Sequence, residues 1–273
     1  MKSEGEIMYI ELDKDEYQIV RNYFNFNFQI PAVAVINGDF PGKIYVDNKE
    51  NPKGIIVWAI SRWAYAYFEL ESLKRNKAFF KELMIKEIAP IIDGLKEQYF
   101  EIYSLNDDYD KILEEEIEGF YLYNKHYENT FILNDEKFDK LELKNVNGEI
   151  LERNFPIVPE EYKNHFKIIG MNKETEGMIF TVEGKIVSQC INNGFENDNK
   201  YFIDLDTFSE KERNKGYASV VAYELIKEQK NKGMRPLWET REDNIPSLRV
   251  AEKLGFEKIE RYPVYIWKKV IKK

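Results

Sequence analysis

The spacing of apolar residues in the carboxy-terminal half predicts short strands separated by two amphipathic helices. Apolar residues three and four apart indicate helices at 219–230, where Val221, Leu225 and Ile226 share one face, and at "NIPSLRVAEKLGF". Runs rich in β-branched and aromatic residues indicate strands in "GMIFTVEGKIVSQCINN" (two strands around the turn "EGK"), "YFIDLDTF", "RPLWET" and "RYPVYIWKKV". "GFENDNK" reads as a loop. The predicted order is β-β-β-α-β-α-β.

The amino-terminal half alternates between the same two patterns. Helical spacing is expected in "DKDEYQIVRNYF", over 76–98 with a break near Pro90, and in the capped segment "NDDYDKILEEEI". Strand-like runs are "AVAVING" and "KIYVDN", predicted to form a hairpin, then "GIIVWAI", "YFEIYSL" and "HYENTFIL". This alternation is typical of a mixed α/β sheet protein.

The segment 134–159 is polar and rich in turn residues. Because chain boundaries between domains fall in such segments, it predicts an amino-terminal α/β domain at 1–140 and a second domain at 141–273. A chain of 273 residues with 43% hydrophobic residues is long enough to fill two cores.

The charge balance and the few metal-binding side chains exclude several functional classes. A net charge of −9 argues against nucleic-acid or anionic-membrane partners, whose binding needs a basic face. Cys190 is the single cysteine, and His126 and His165 are isolated, so neither a disulfide nor a metal site is expected. No apolar run suggests a signal peptide or a membrane span, which favours a cytoplasmic location.

The sharpest chemical signal is the loop "ERNKGYA", which opens the helix over 219–230. The first turn of a helix has unpaired N–H groups and a partial positive charge, and Gly216 would let the backbone come close to an anion. Arg213 and Lys215 add formal charge, and Ala218 is small. These features suit a pyrophosphate. On spacing alone, a simple turn glycine beside solvated cations is an equally good interpretation.

Two motifs resemble the GNAT N-acetyltransferases. "RNKGYA" matches the family signature Arg/Gln-x-x-Gly-x-Gly/Ala between a strand and a helix, and "NIPSLRVAEKLGFE" resembles the later segment in which an Asn opens a helix ending in Lys-Leu-Gly-Phe. The order of "IVSQC", "IDLDT", "ERNKGYAS" and "PLWET" is similar in particular to the zwittermicin-resistance-type branch. The resemblance covers about the last hundred residues.

The resemblance implies a GNAT fold, a mostly antiparallel mixed sheet flanked by helices, and an acetyl-CoA-dependent N-acetyltransferase. The strands "IDLDT" and "PLWET" would splay apart around the cofactor. The residues implied in binding it are the pantetheine contacts Leu205, Asp206 and Thr207, the pyrophosphate loop Arg213, Asn214, Lys215, Gly216, Tyr217, Ala218 and Ser219, and the later contacts Asn244 and Ser247.

The chemistry needs a base for the acceptor amine and a proton for the leaving thiolate. Asp204, Asp206 and Glu239 are the candidate bases, although a carboxylate at any one of these positions is more often simply solvated. Glu239 is favoured because the acceptor amine would arrive where the strands "IDLDT" and "PLWET" splay apart. In many family members a tyrosine protonates the leaving thiolate, but the corresponding position in this sequence is Ala251. Ser247, Tyr217 or water would therefore supply the proton.

The negative charge of these carboxylates favours a small cationic amine as the acceptor. The protein is expected to be a monomer or a homodimer. It would approach from the side opposite the cofactor, walled by "GFENDNK" and the amino-terminal half. A non-catalytic acyl-CoA sensor is the alternative, because Ala251 replaces the tyrosine.

The amino-terminal half is interpreted as a degenerate GNAT-like copy. Its strand "GIIVWAI" runs into "SRWAYAYFEL", where a second copy would carry a phosphate loop, but no Arg-x-x-Gly-x-Gly/Ala occurs there. If this half is GNAT-like, it has lost the cofactor site, and its expected role is to shape the acceptor pocket.

Overall fold

The computed structural model describes residues 9–95, 98–113, 116–169 and 171–269. Its α-helices are α1 (Ile30–Asn37), α2 (Leu73–Leu83), α3 (Ala89–Asp93), α4 (Asp135–Asp139), α5 (Glu160–His165), α6 (Tyr217–Asn231) and α7 (Ile245–Lys253). Its strands are β1 (Ile10–Glu11), β2 (Lys43–Val46), β3 (Gly54–Ala59), β4 (Trp63–Phe68), β5 (Tyr99–Tyr103), β6 (Glu116–Ile117), β7 (Phe120–Leu133), β8 (Glu149–Pro156), β9 (Glu174–Val182), β10 (Lys185–Asn197), β11 (Lys200–Thr207), β12 (Arg235–Arg241) and β13 (Phe256–Lys269).

The chain divides into two compact units that interleave in sequence. Unit 1 comprises Met1–Tyr127, Glu160–Ile169 and Tyr262–Lys273, and unit 2 comprises Glu128–Pro159 and Gly170–Arg261. The division at residue 140 remains a prediction.

Unit 1 carries strands in the order β1-β2-β3-β4-β5-β13, all antiparallel except for the pair β4 and β5. Helix α2 is amphipathic, and a π-helical turn, Met84–Ile88, joins it to α3. Its buried aromatic face packs with strand residues into one core that includes Trp58, Phe79, Phe80, Phe100 and Trp267.

Unit 2 carries strands in the order β7-β12-β11-β10-β9-β8, of which only β11 and β12 run parallel. The predicted apolar face of α6 is confirmed, since Val221, Leu225 and Ile226 are fully buried. With Ala251 and Leu254 of the α7 segment they cover one face of the sheet. The predicted order of these elements and the predicted fold class, a mixed and mostly antiparallel sheet flanked by helices, are confirmed.

One strand prediction and one loop prediction were wrong. "AVAVING" lies largely in helix α1, in which residues 30–36 are all buried, and an apolar run without periodicity does not distinguish a buried helix from a strand. The predicted loop "GFENDNK" extends the hairpin of β10 and β11, with Asn197 opposite Lys200. Asp198 adopts φ 56° at the exposed turn, so the polar residues here reflect the end of a hairpin rather than a long loop.

Three further segments differ from expectation. The linker predicted at 134–159 contains β8, which pairs along its whole length with β9; it is largely exposed and so lacks an apolar alternation. The first predicted helix is a 3-10 helix, Lys14–Tyr23. "NDDYDKILEEEI" forms a 3-10 helix, Asp107–Lys111, followed by β6. Parts of the predictions fall on 1–8, 96–97, 114–115 and 270, which lie outside the described residues.

Candidate cofactor and active site

A gap opens between strands β11 and β12 within unit 2. The two strands pair in parallel at only three positions, and the last of these is Phe202 opposite Leu237. Beyond it β11 continues to Thr207 paired only with β10, while β12 continues to Arg241 paired with β7. Among the residues that the structure describes, the facing edges of the two strands are therefore left without strand partners.

The backbone of β11 presents alternate residues to this gap. Phe208 N donates to Val187 O at 3.2 Å, which directs even-numbered residues towards β10, and Asn199 O accepts from Arg235 N at 2.6 Å on the opposite edge. Because backbone groups alternate along a strand, the N–H and C=O groups of Leu205 and Thr207 face the gap. The Asp206 backbone faces β10, and its carbonyl accepts from Ser188 Oγ at 2.7 Å.

The predicted phosphate loop begins helix α6 in a left-handed turn. Gly216 has φ 93° and is the residue before the helix, and Asn214 has φ 61°. Val220 N donates to Gly216 O at 3.2 Å. The N–H groups of residues 217–219 precede this bond and so have no helical partner. A Cβ atom on Gly216 would meet Val146 at 3.4 Å, an ordinary contact, so the positive φ is the reason for glycine at this position.

The charges at the loop are not equivalent. Lys215 Nζ lies 2.8 Å from Glu212 Oε2, and this hydrogen bond raises the lysine pKa. Arg213 is exposed and forms no ion pair within the described part of the chain. Lys253 Nζ donates to the buried Ser219 Oγ at 3.3 Å, which brings a third cation to the first turn of α6. No local pattern in the sequence indicated this approach, because Lys253 lies on another helix.

Tyr217 is held by an aromatic contact rather than directed into solvent. Its ring stacks on Phe180 of β9, with centroids 4.9 Å apart and an interplanar angle of 23°. The Lys215 ammonium lies 5.9 Å from the same ring. This stacking fixes the start of α6 against the sheet.

Helix α7 uses both predicted cofactor contacts for its own structure. Asn244 Oδ1 accepts from Ser247 N at 3.3 Å and caps the helix. Ser247 Oγ accepts from the Trp238 indole N–H at 3.0 Å. The Ser247 hydroxyl keeps its own hydrogen available for donation.

Side-chain alternation separates the candidate catalytic residues. Phe202 and Leu237 are paired, so Asp204 and Glu239 follow two residues later on the same face, level with each other across the gap. Asp206 lies on that face too. Trp238 packs in the core under α6 and α7, so Ser247, its hydrogen-bond partner, lies on the other face. Asp204 and Asp206 are exposed, whereas Glu239 is half-buried.

The family model described as GNAT acetyltransferase matches residues 27–265. This chain belongs to the GNAT acetyltransferase family. GNAT acetyltransferases transfer acyl groups and use acetyl-CoA in general. None of the curated protein sequences matches the chain.

Solved GNAT structures share the fold over nearly the whole chain. A GCN5-related N-acetyltransferase-like protein from Streptococcus suis is 18% identical, with a TM-score of 0.60 over 93% of this chain and 99% of its own. A tandem GNAT protein from the clavulanic acid biosynthesis pathway is 10% identical, with a TM-score of 0.56 over 97% and 99%. A GCN5-related N-acetyltransferase from Sphaerobacter thermophilus is 11% identical, with a TM-score of 0.56 over 97% and 96%. Identities this low show the fold alone.

Within this GNAT fold, two positions contribute packing rather than a reactive group. Ala251, at the position of the tyrosine that the resemblance led us to expect, is fully buried against α6. Cys190 is fully buried, and burial raises the pKa of its thiol well above the usual value, so it stays neutral. Membership of the family does not favour the sensor alternative.

The described residues contain no group of three or more His, Cys, Asp or Glu side chains placed to hold a metal ion. In the same part of the chain, no helix is both long and apolar enough to cross a membrane.

Proposed function

We propose that this chain transfers an acetyl group from acetyl-CoA to the amine of a small, cationic acceptor. The observation that supports the proposal is that the gap between β11 and β12 leads directly into the loop at Gly216. The edge of β11 that faces the gap ends at Thr207, and residues 208–216 lead from there to the left-handed Gly216 at the start of α6. A ligand with a pyrophosphate and an extended amide-bearing arm matches both parts.

The cofactor's two ends would be held by different kinds of groups. The N–H groups of residues 214–219 would bind the pyrophosphate, with Arg213 and Lys253 supplying charge. The N–H and C=O groups of Leu205 and Thr207 would pair with the pantetheine arm as a strand does. Asp206 would contribute its side chain alone, because its backbone faces β10.

The chemistry proposed for residues 141–273 is proton handling around a bound thioester. Acetyl-CoA would supply the activated acetyl group as its thioester, and coenzyme A would leave as the thiolate. An alkylammonium has a pKa near ~10.4, so a base must take its proton before the nitrogen attacks. We assign this role to Glu239, level with Asp204 at the opening of the gap, with Asp206 further along the same face. Ser247, Tyr217 or water would return a proton to the thiolate.

The acceptor is proposed to be cationic because the gap has three carboxylates on one face. Asp204, Asp206 and Glu239 attract an ammonium group, and the net charge of −9 acts in the same direction. The sequence motifs also support placement in the zwittermicin-resistance-type branch of the family.

Calorimetry and a turnover screen test the proposal together. Acetyl-CoA should bind the wild-type protein, and Gly216→Asp should abolish binding while circular dichroism shows a folded chain. Thiol release should follow from at least one member of a panel of amino sugars, polyamines, peptide amines and amine-bearing antibiotics, with mass detection of the acetylated product. Unchanged affinity in folded Gly216→Asp would refute the cofactor site. Binding without turnover across the panel would refute the assignment as an enzyme for these amines.

A further inference from the structure

Unit 1 repeats the strand arrangement that forms the gap in unit 2. Strands β4 and β5 pair in parallel at three positions, the last being Tyr65 opposite Tyr103, and α2 and α3 connect them. The first bond of each parallel pair is the same: Glu101 N donates to Arg62 O at 2.8 Å, as Arg235 N donates to Asn199 O at 2.6 Å. The parallel pair β4 and β5 therefore has the same hydrogen-bond register as the parallel pair β11 and β12.

This register makes Phe68 the counterpart of Leu205. Phe68 lies six residues after Arg62, as Leu205 lies six residues after Asn199. Glu69 N donates to Lys53 O at 2.8 Å and so directs odd-numbered residues of β4 towards β3. The N–H and C=O groups of Phe68 consequently point to the side of β5, beyond the last paired residue. They occupy the place that the pantetheine contacts have in unit 2.

The hydroxyl of Tyr109 satisfies both of these backbone groups. It accepts from Phe68 N at 2.7 Å and donates to Phe68 O at 3.2 Å. The Tyr109 side chain is 3% exposed, and its ring packs 4.9 Å from the Phe68 ring. Burial raises its pKa to about 12, so the hydroxyl remains protonated and can donate and accept at once. One protein side chain thus makes the pair of bonds that an extended amide would make.

Tyr109 is held there by a capped turn that follows β5 directly. Asn106 Oδ1 accepts from Asp108 N at 2.7 Å and begins the 3-10 helix that carries Tyr109. Ser104 Oγ donates to Asn106 O at 3.2 Å. These bonds place the ring in the gap without help from a ligand.

The start of α2 also lacks the features of a phosphate loop. Residues 69–72 alone connect β4 to α2, with no glycine, and they carry the carboxylates of Glu69 and Glu71. Glu69 forms an ion pair with Lys53 at 2.8 Å and accepts from Ser72 Oγ at 3.0 Å. Two carboxylates at a helix start disfavour a pyrophosphate.

We propose that Tyr109 is an internal substitute for a ligand: it fills the gap of unit 1, and the chain therefore binds one coenzyme A, through the loop at Gly216 alone. The count of one rests on the proposed function, whereas the role of Tyr109 does not.

The count is tested by the stoichiometry of coenzyme A binding. Calorimetry should give about one equivalent for the wild-type chain and none for Gly216→Asp. Two equivalents in the wild type, or a residual site in Gly216→Asp, would overturn the proposal. No binding by the wild type would refute the proposed function, and the role of Tyr109 would then be decided by the next experiment.

The role of Tyr109 is tested by chemical rescue of a cavity. Phenol should raise the melting temperature of Tyr109→Gly more than toluene does, because only phenol can bond to the Phe68 backbone. Tyr45→Gly is the matched control: Tyr45 is fully buried, and its hydroxyl has no hydrogen-bond partner among the described residues, so phenol and toluene should act alike there. Equal rescue of Tyr109→Gly by both compounds would overturn the role.

If Tyr109→Gly does not fold, Tyr109→Phe carries the test. Hydrogen exchange at the Phe68 amide should accelerate in that variant while the amides of β3 are unchanged. Unaltered protection at Phe68 would contradict the proposal.

Discussion

Trp238 donates its indole N–H to Ser247 Oγ at 3.0 Å, which joins the strand bordering the gap to the first turn of α7. Ser247 is thus a structural residue before any catalytic role is considered. The two roles predict different consequences of the same substitution, because a buried unpaired donor weakens the fold, whereas a lost proton donor slows turnover.

Ser247→Ala should destabilise the fold by about 1–3 kcal/mol, because the indole N–H of Trp238, itself 3% exposed, loses its acceptor. Urea denaturation measures the loss. When Trp238→Phe is already present, adding Ser247→Ala should cost much less stability, since the donor is then gone. If Ser247 also protonates the thiolate, Ser247→Ala lowers turnover by more than Trp238→Phe does; equal turnover would leave Ser247 with the structural role alone.

Gly216→Ala should reduce coenzyme A affinity beyond its effect on stability. The left-handed φ of 93° costs an alanine roughly 1–2 kcal/mol, and the new methyl would lie where the proposed function places the pyrophosphate. Gly184→Ala is the matched control, because Gly184 has φ 73° and open space but lies in the turn between β9 and β10. Both variants should lose similar stability in denaturant, and only Gly216→Ala should lose affinity in calorimetry. A similar loss of affinity in both variants would show that the loss comes from backbone strain at a glycine with positive φ and not from a contact of Gly216 with the cofactor.

Glu239→Gln should lower turnover at neutral pH by about 100-fold or more and leave acetyl-CoA affinity nearly unchanged, since it removes the proposed base and leaves the loop at Gly216 unaltered. Activity should recover in part at high pH, where the amine is already neutral. Asp206→Asn serves as the comparison, because it removes a carboxylate on the same face. A larger loss in Asp206→Asn would move the base there, and a loss of cofactor affinity in Glu239→Gln would mark Glu239 as structural.

Lys253→Met should weaken coenzyme A binding about tenfold at low salt, because its ammonium lies at the first turn of α6 beside Ser219. The difference should shrink as salt screens the charge. Lys227→Met removes a cation from α6 away from its first turn, and it should leave the affinity unchanged. Calorimetry at two salt concentrations distinguishes the cases, and equal effects of the two variants would remove Lys253 from the site.

Tyr109→Phe should lose stability at neutral pH, because the Phe68 N–H and C=O groups lose their partner. The pKa of Tyr109 is raised from 10.0 to about 12 by burial. The unfolded chain therefore releases this proton from about pH 10 while the folded chain holds it, so the contribution is complete below pH 10 and is lost as the pH rises towards 12. The wild-type advantage over Tyr109→Phe should fall by about 1.4 kcal/mol per pH unit in that window. A pH-independent difference between the two proteins, measured by urea denaturation, would contradict the assignment.

The sequence predicted those features that depend on local signals. Gly216 begins a helix because its neighbours repeat a helical pattern. The family resemblance placed Asn244 at the start of α7, and the structure shows that its side chain caps this helix. The direction in which Leu205 presents its backbone was not predictable, since it depends on hydrogen bonds from β10. The contacts of Lys253 and Tyr109 join distant segments, and no local pattern encodes them. Helix α1 was missed because an element buried on all sides has no apolar period.

The interleaved course of the chain reverses the usual order in which domains are completed during synthesis. Strand β5 of unit 1 pairs with Val264 to Lys268 of β13, and Tyr265 and Trp267 are fully buried in the unit 1 core. The ribosome makes these residues after those of unit 2. Unit 2 has all of its sequence by Arg261. Unit 1, although its translation begins first, therefore closes its core only after the residues of unit 2 have been made, and unit 2 is the first to have all of its sequence.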